Sequence, residues 1–212
     1  NLASVNSTWH LMQSVETNIS NLDTNPYDYY PMEEVEKTVA NLFHNAEHDT
    51  TVRVFKEAHP NIVLVLLEGW SSHLIKPLGG SDSITPNFNS LCEEGLLFTN
   101  FLATGGRSDQ GITGLLSGFP AQPTTSVTHQ PSKYPGLPSF PKRLKPYGYS
   151  SLFVFGGELN YANIRSFLMH VGIQKLVEEQ HFDNAVPRAK LGVHDEHLYP
   201  RFIEEINLLT PP

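Results

Sequence analysis

Two side chains stand where α/β proteins place their chemistry. Glu68 follows the apolar run Asn61-Ile-Val-Leu-Val-Leu-Leu67 and precedes Gly69. If that run is a strand, the carboxylate lies at its C-terminal edge, where open α/β sheets bind ligands. A carboxylate there suits a hard divalent cation; a capping or ion-pairing role suits it too. Ser108 closes the turn Gly105-Gly-Arg-Ser108 and opens a helical pattern. Backbone N–H groups and the positive end of a helix converge on such a point. A hydroxyl there can act as a nucleophile when a metal lowers its pKa and the helix end stabilises the developing anion. Arg107 adds positive charge beside it. The structural alternative is a helix cap, because Ser is favoured at that position. On parallel strands Glu68 and Ser108 would share one sheet edge, and one metal could bridge carboxylate and hydroxyl.

Other chemistry-bearing residues carry less. None of the ten histidines has the spacing of a metal cluster. His194 and His197 flank Asp195, which reads as a helix start with surface histidines around it. His73, shortly after Glu68, is the better candidate for a site neighbour. The single cysteine, Cys92, has no partner for an internal disulfide and reads as a small core residue.

The elements that must position Glu68 and Ser108 are legible in the pattern. The run at 61–67, β-branched at its start and preceded by Pro60, predicts a central strand buried on both faces. A helix follows from Pro86 to Gly95, capped by Thr85, with Phe88, Leu91 and Cys92 as its stripe. A second strand is expected over about 96–102, then the glycine turn, then a helix to about Ser117 with Gly118 beyond its end. Residues 119–137, rich in Pro, Thr and Ser, predict a long surface loop. A short helix over 138–146, a third strand over 151–155, a helix closed by Gly172 and a last helix carrying Tyr199, Phe202, Ile203 and Ile206 complete the chain; Pro200 begins or bends that last helix. Upstream, residues 1–31 predict an extended lead-in, and 32–48 a helix with Glu33 and Glu34 at its positive end. Strands alternating with helices predict an α/β fold, a three-layer α/β/α sandwich with a largely parallel central sheet.

Composition narrows the function classes. With 39% hydrophobic and 17% charged residues, the 212-residue chain reads as globular rather than disordered. Its net charge of −8 argues against a nucleic-acid surface, which needs clustered Lys and Arg. No apolar stretch reaches the length of about 18 residues needed to span a membrane.

The motifs, in their order, resemble the lipoteichoic acid synthase and phosphoglycerol transferase branch of the alkaline phosphatase–sulfatase superfamily. The run ending in Glu68 is similar to the strand that presents a metal-binding carboxylate there. Thr104-Gly-Gly-Arg-Ser-Asp-Gln-Gly-Ile112 is similar to the nucleophile turn, with Ser108 where that branch usually has Thr. The likeness continues through Ile84-Thr-Pro-Asn-Phe88, through Phe155-Gly-Gly-Glu158 to Gly172, and through Gly192-Val-His-Asp195. It covers roughly residues 60–200.

The resemblance implies that residues 60–212 are the N-terminal portion of a sulfatase-like catalytic domain, its C-terminal part missing. It implies that residues 1–59 form a lead-in and helix after a membrane anchor. Glu68 and Ser108 would bind a divalent metal (Mn, Mg or Zn), and Ser108 would attack a phosphorus centre to form a covalent phospho-enzyme. The site is expected to be incomplete, because the Asp-His pair with which the family completes it does not occur in this sequence. The donor would be a membrane phospholipid, the acceptor water or an envelope glycan, and the place the extracytoplasmic face of a bacterial membrane. The family holds its donor head group with an aromatic and an Arg before Gly172. Here that segment reads Asn160-Tyr-Ala-Asn-Ile-Arg165, so Arg107, Glu158, Asn160 and Asn163 are the candidate substrate contacts; an exposed polar helix face is the alternative. Formylglycine chemistry is not expected, because neither Cys92 nor Ser108 is followed by the Pro and Arg that its maturation needs. Two other readings stay open: a sulfate-ester hydrolase of the same superfamily, and a non-catalytic module that binds glycan or lipid.

Overall fold

The computed structural model describes residues 6–23, 28–44, 51–81, 83–123 and 125–209. The chain divides into two compact units, Asn1–Lys56 and Glu57–Pro212.

The first unit is helical where an extended lead-in was expected. Helix α1 spans Ser7–Asp23. Asn6 caps it, its Oδ1 accepting from the backbone N–H groups of Thr8 and Trp9, both at 3.1 Å. Leu11, Met12, Val15 and Ile19 recur at helical spacing, a signal that the intervening Ser, Thr and Asn obscured. Helix α2 (Met32–Leu42) begins after Pro31 and carries Glu33 and Glu34 in its first turn. It ends before the expected residue 48; residues 45–48 lie outside those described.

The second unit is α/β with a parallel sheet, as predicted. Strand β1 (Leu152–Val154) pairs in parallel with β2 (Lys175–Val177), with Leu152 opposite Lys175 and Val154 opposite Val177. Parallel pairing needs a crossover, supplied by helix α6 (Ile164–His170). Gly172 ends that segment at φ 92°, in the left-handed region that glycine adopts without penalty. Phe167, Leu168, Ile164, Leu159 and Val171 are wholly buried there. They pack with Tyr134 and with Ile112 and Leu116 of helix α4 (Ser108–Ser117), so the crossover and the Ser108 helix share one core. Beyond β2, the short antiparallel pair β3 (Arg188–Ala189) and β4 (Gly192–Val193) docks on the corner after β1. Val193 donates its N–H to the Gly156 carbonyl at 2.8 Å, and a Cβ on Gly157 would stand 2.6 Å from the Leu191 carbonyl. Only glycine permits that approach.

Helix α7 (Asp195–Asn207) closes the described chain, with Asp195 in its first turn and Pro200 inside it. The buried Glu205 carboxylate takes Lys175 of β2 and Arg201 (2.8 Å) as partners, joining the helix to the sheet. Hydrogen bonding from Lys175 holds that carboxyl below the usual glutamate range, against the opposing effect of burial. Helices α3 (Pro86–Glu94) and α5 (Phe140–Leu144) lie where expected. Thr85 does not cap α3; its hydroxyl donates to the Leu74 carbonyl at 2.7 Å. Cys92 is half-buried, not a core residue.

Three further expectations are corrected. Residues 61–67 are extended but join no sheet among the described residues, and Ile62 through Leu66 are 44–54% exposed rather than buried on both faces. A central strand is buried by its neighbours, and among the described residues none flanks this run. The same holds for 96–102, where Leu96, Phe98, Phe101 and Leu102 are exposed. Residues 119–137 do not form a surface loop. They fold inward through the 3₁₀ turns Val127–His129 and Pro131–Gly136, burying Ser126, Val127, Thr128, Gln130 and Tyr134. The hydroxyls find partners inside, Ser126 with Thr128 at 3.0 Å, so burial does not strand them.

Candidate active site

Ser108 is the first residue of α4, and Arg107 before it is extended (φ −131°, ψ 152°). The glycine turn is shaped to put it there. A Cβ on Gly105 would fall 2.6 Å from Gln110 Cβ and 2.8 Å from Ala121 Cβ, so the turn presses directly on the first turn of α4. Thr104 packs its hydroxyl against Gly114, one face further along the same helix. Gln110 donates to the Gln122 carbonyl at 3.0 Å and ties that first turn to the chain beyond. Gly118 ends α4 at φ 63°.

Glu68 reaches this helix start from the end of the extended run. Gly69, at φ 75°, turns the chain immediately after it. Ser108 Oγ donates to Glu68 Oε2 at 2.9 Å. No side chain caps α4, so the Ser108 hydroxyl is spent on Glu68 and not on the helix. Both groups remain accessible. Arg107 is exposed, its Nε 3.7 Å from Asp109 Oδ1. Asp109 is 3% exposed, and its Oδ2 has no partner among the described residues. The sequence reading passed over this buried carboxylate; its only signal was an acidic residue in the first helical turn.

His73 sits in the turn Ser72–Leu74 and is exposed, its backbone N–H directed to Ser71 Oγ at 3.4 Å. Among the described residues, no group of three or more His, Cys, Asp or Glu side chains gathers to hold a metal. The donor pair present, one carboxylate and one hydroxyl, fits a hard divalent cation in kind but supplies only part of a coordination shell.

The segment 158–165 forms a polar chain. Asn160 donates to Glu158 Oε1 at 3.2 Å and accepts from Arg165 Nε at 3.2 Å. Arg165 pairs with Glu178, a buried carboxylate that also accepts from Leu159 N–H at 2.8 Å and Gln180 Nε2 at 2.6 Å. Glu158 and Asn160 are exposed. Asn163 turns its amide nitrogen inward, to the Thr128 carbonyl (2.8 Å) and Tyr134 Oη (3.2 Å). Burial pushes the Tyr134 phenol above its ordinary pKa, partly opposed by its hydrogen bonds, and keeps it a donor.

With this geometry in view, the comparisons with known proteins are consistent. The sulfatase family model matches residues 60–212. The chain belongs to the sulfatase family. The stretch that matches contains both Glu68 and Ser108. A solved alkaline phosphatase superfamily protein from Vibrio parahaemolyticus is 35% identical, with a TM-score of 0.59 over 66% of this chain and 34% of that one. The lipoteichoic acid synthase LtaP from Listeria monocytogenes is 21% identical, with a TM-score of 0.56 and the same coverage, and so supports the fold. The chain therefore spans about a third of the length of those two structures.

Proposed function

We propose that this sulfatase-family chain is part of an extracytoplasmic, metal-dependent enzyme that transfers or hydrolyses phosphate-ester groups, with Ser108 as nucleophile. The observation that carries the reading is the Ser108–Glu68 pair, 2.9 Å apart at the mouth of α4. In a structural cap the hydroxyl would turn to its own helix; here it turns to a carboxylate forty positions away.

Glu68 and Ser108 are the residues that would hold the metal, one of Mn, Mg or Zn, together with donors from elsewhere in the protein. When bound, such an ion lowers the pKa of the hydroxyl and offsets charge on the phosphate oxygens. Glu68 Oε2 accepts the hydrogen bond of the Ser108 hydroxyl and is placed to receive its proton as Oγ attacks. The Oγ–P bond forms, the ester P–O bond breaks, and the alcohol leaves with the electron pair and takes up a proton. Water or a glycan hydroxyl then attacks phosphorus and releases Ser108. The backbone N–H groups at the start of α4 face developing negative charge, as helix N-termini do. Arg107, Glu158, Asn160 and the turn containing Asn163 would meet the donor, a membrane phospholipid. An anchor in the parent protein would bring the domain to that lipid; among the described residues no helix is long and apolar enough to cross a membrane.

The sulfatase family match favours one second reading, hydrolysis of a sulfate ester by the unmodified Ser108. The test is turnover of phosphatidylglycerol vesicles, beside p-nitrophenyl sulfate, by the full-length protein with added manganese. Release of glycerol phosphate that disappears in Ser108→Ala supports phosphoryl transfer. Sulfate release alone supports the second reading. Equal turnover by Ser108→Ala would leave Ser108 without a catalytic role.

A further inference from the structure

Among the described residues, two without the freedom of glycine hold positive φ, and they are adjacent: Ala162 at 50° and Asn163 at 58°. Left-handed backbone is unfavourable for residues with a Cβ, more so for Ala than for Asn, and persists only where the surroundings over-determine it. Here they do. Leu159 and Ile164, on either side of the Tyr161–Asn163 turn, are wholly buried, and Arg165 donates its N–H across the turn to the Leu159 carbonyl at 2.8 Å. Asn163 Nδ2 then donates to the Thr128 carbonyl and to Tyr134 Oη, while Tyr134 donates to the same carbonyl at 2.5 Å. Thr128 and Tyr134 are 0% and 2% exposed, so two corners of the triangle that the three groups close are buried.

We propose that Asn163 is a positioning residue, which through Thr128 and Tyr134 locks the strained turn and so fixes Glu158 and Asn160 relative to the Ser108 helix. The bridge is physical. The turn Val127–His129 packs against α4 on one side and against Tyr161–Asn163 on the other. Ile112 and Leu116 of α4 share the core with Tyr134, Leu159 and Ile164. A relaxed helix start at 161–163 would change where Glu158, Asn160 and the exposed Tyr161 stand. The strain is thus kept for what it presents at the surface. The inference rests on the reading of Glu158 and Asn160 as donor contacts.

The experiment uses the full-length protein with three variants. Asn163→Gly frees the backbone but removes the hydrogen bonds; Asn163→Asp keeps size and left-handed tolerance but removes the donor; Tyr134→Phe removes the hydroxyl that accepts from Asn163 and donates to the Thr128 carbonyl. Two readouts are taken: amide hydrogen exchange over 158–165, and manganese-supported turnover of phosphatidylglycerol vesicles. The expected result is faster exchange in all three variants, by about tenfold or more, with KM raised about tenfold in the Asn163 variants and kcat changed far less. If Asn163 serves only as a residue tolerant of positive φ, Asn163→Gly keeps wild-type exchange and KM, and the proposal is overturned. If wild-type protein does not turn over the lipid, the proposed donor fails and the positioning role with it, whereas the brace is still decided by exchange alone.

Discussion

Ser108 Oγ donates to Glu68 Oε2 at 2.9 Å, and that single bond joins the end of one segment to the start of a helix forty positions later. It brings together a hydroxyl and a carboxylate, from which the proposed metal-assisted transfer would take its nucleophile and one metal ligand.

Replacing Ser108 by Ala removes the proposed attacking oxygen and leaves Glu68 in place. Turnover by the full-length protein should fall by about 10³-fold or more, as it does when a covalent nucleophile is deleted. Circular dichroism should show an unchanged fold. Residual turnover within tenfold of wild type would count against covalent catalysis.

Glu68→Gln keeps size and shape but loses the charge that suits a divalent cation. Titration calorimetry with manganese on the full-length protein should show affinity lowered by at least about tenfold, the scale of disturbing even the surroundings of a metal site. Unchanged affinity would remove Glu68 from the ligand set.

Gly105→Ala places a methyl group within 2.6–2.8 Å of Gln110 Cβ and Ala121 Cβ, neither of which is the far end of a flexible side chain. The turn or α4 must shift. The expected cost is about 1–3 kcal/mol in denaturant unfolding, with a drop in turnover because Ser108 moves with the helix. Gly106, whose Cβ would meet nothing within 4 Å, is the control and should tolerate Ala.

Glu205 gives a pH signature. Its folded-state carboxyl is held below the ordinary glutamate value, first by hydrogen bonding from Lys175. A carboxyl depressed on folding contributes stability that is present above the unfolded pKa, about 4.3, and is lost as pH falls through the folded value. Glu205→Gln should therefore lower the thermal midpoint at neutral pH, and the gap to wild type should close progressively as pH falls below the unfolded value and through the lower folded one. A gap independent of pH would mean that packing, and not the charge, is what the substitution disturbs.

Local chemistry made much of this molecule legible. The glycine turn before Ser108, the helix that follows it and its end at Gly118 were readable because each depends on a few adjacent residues. So was the helix closed by Gly172, and the parallel α/β arrangement followed from alternating elements. The apolar run 61–67 had the composition of a central strand, but a strand is completed by neighbours that accept its N–H groups and cover its faces, and here Ile62 to Leu66 stay half-exposed. Helix α1 escaped notice because its apolar positions are diluted by Ser, Thr and Asn, and residues 119–137 because Pro, Thr and Ser look alike in a surface loop and in a buried, hydrogen-bonded one.

By itself, then, the sequence determined the α/β class, the helix around Ser108 and the family, because local periodicity, turn chemistry and motif order are properties of neighbouring residues. Only the tertiary structure decided that Ser108 gives its hydrogen bond to Glu68 and not to its own helix, that Arg165 is occupied by the buried Glu178, and that Asn163 faces inward to Thr128 and Tyr134. These choices lie between partners separated by 13 to 40 positions, and which distant partner a polar group meets is set by how the apolar core packs, not by the residues beside it.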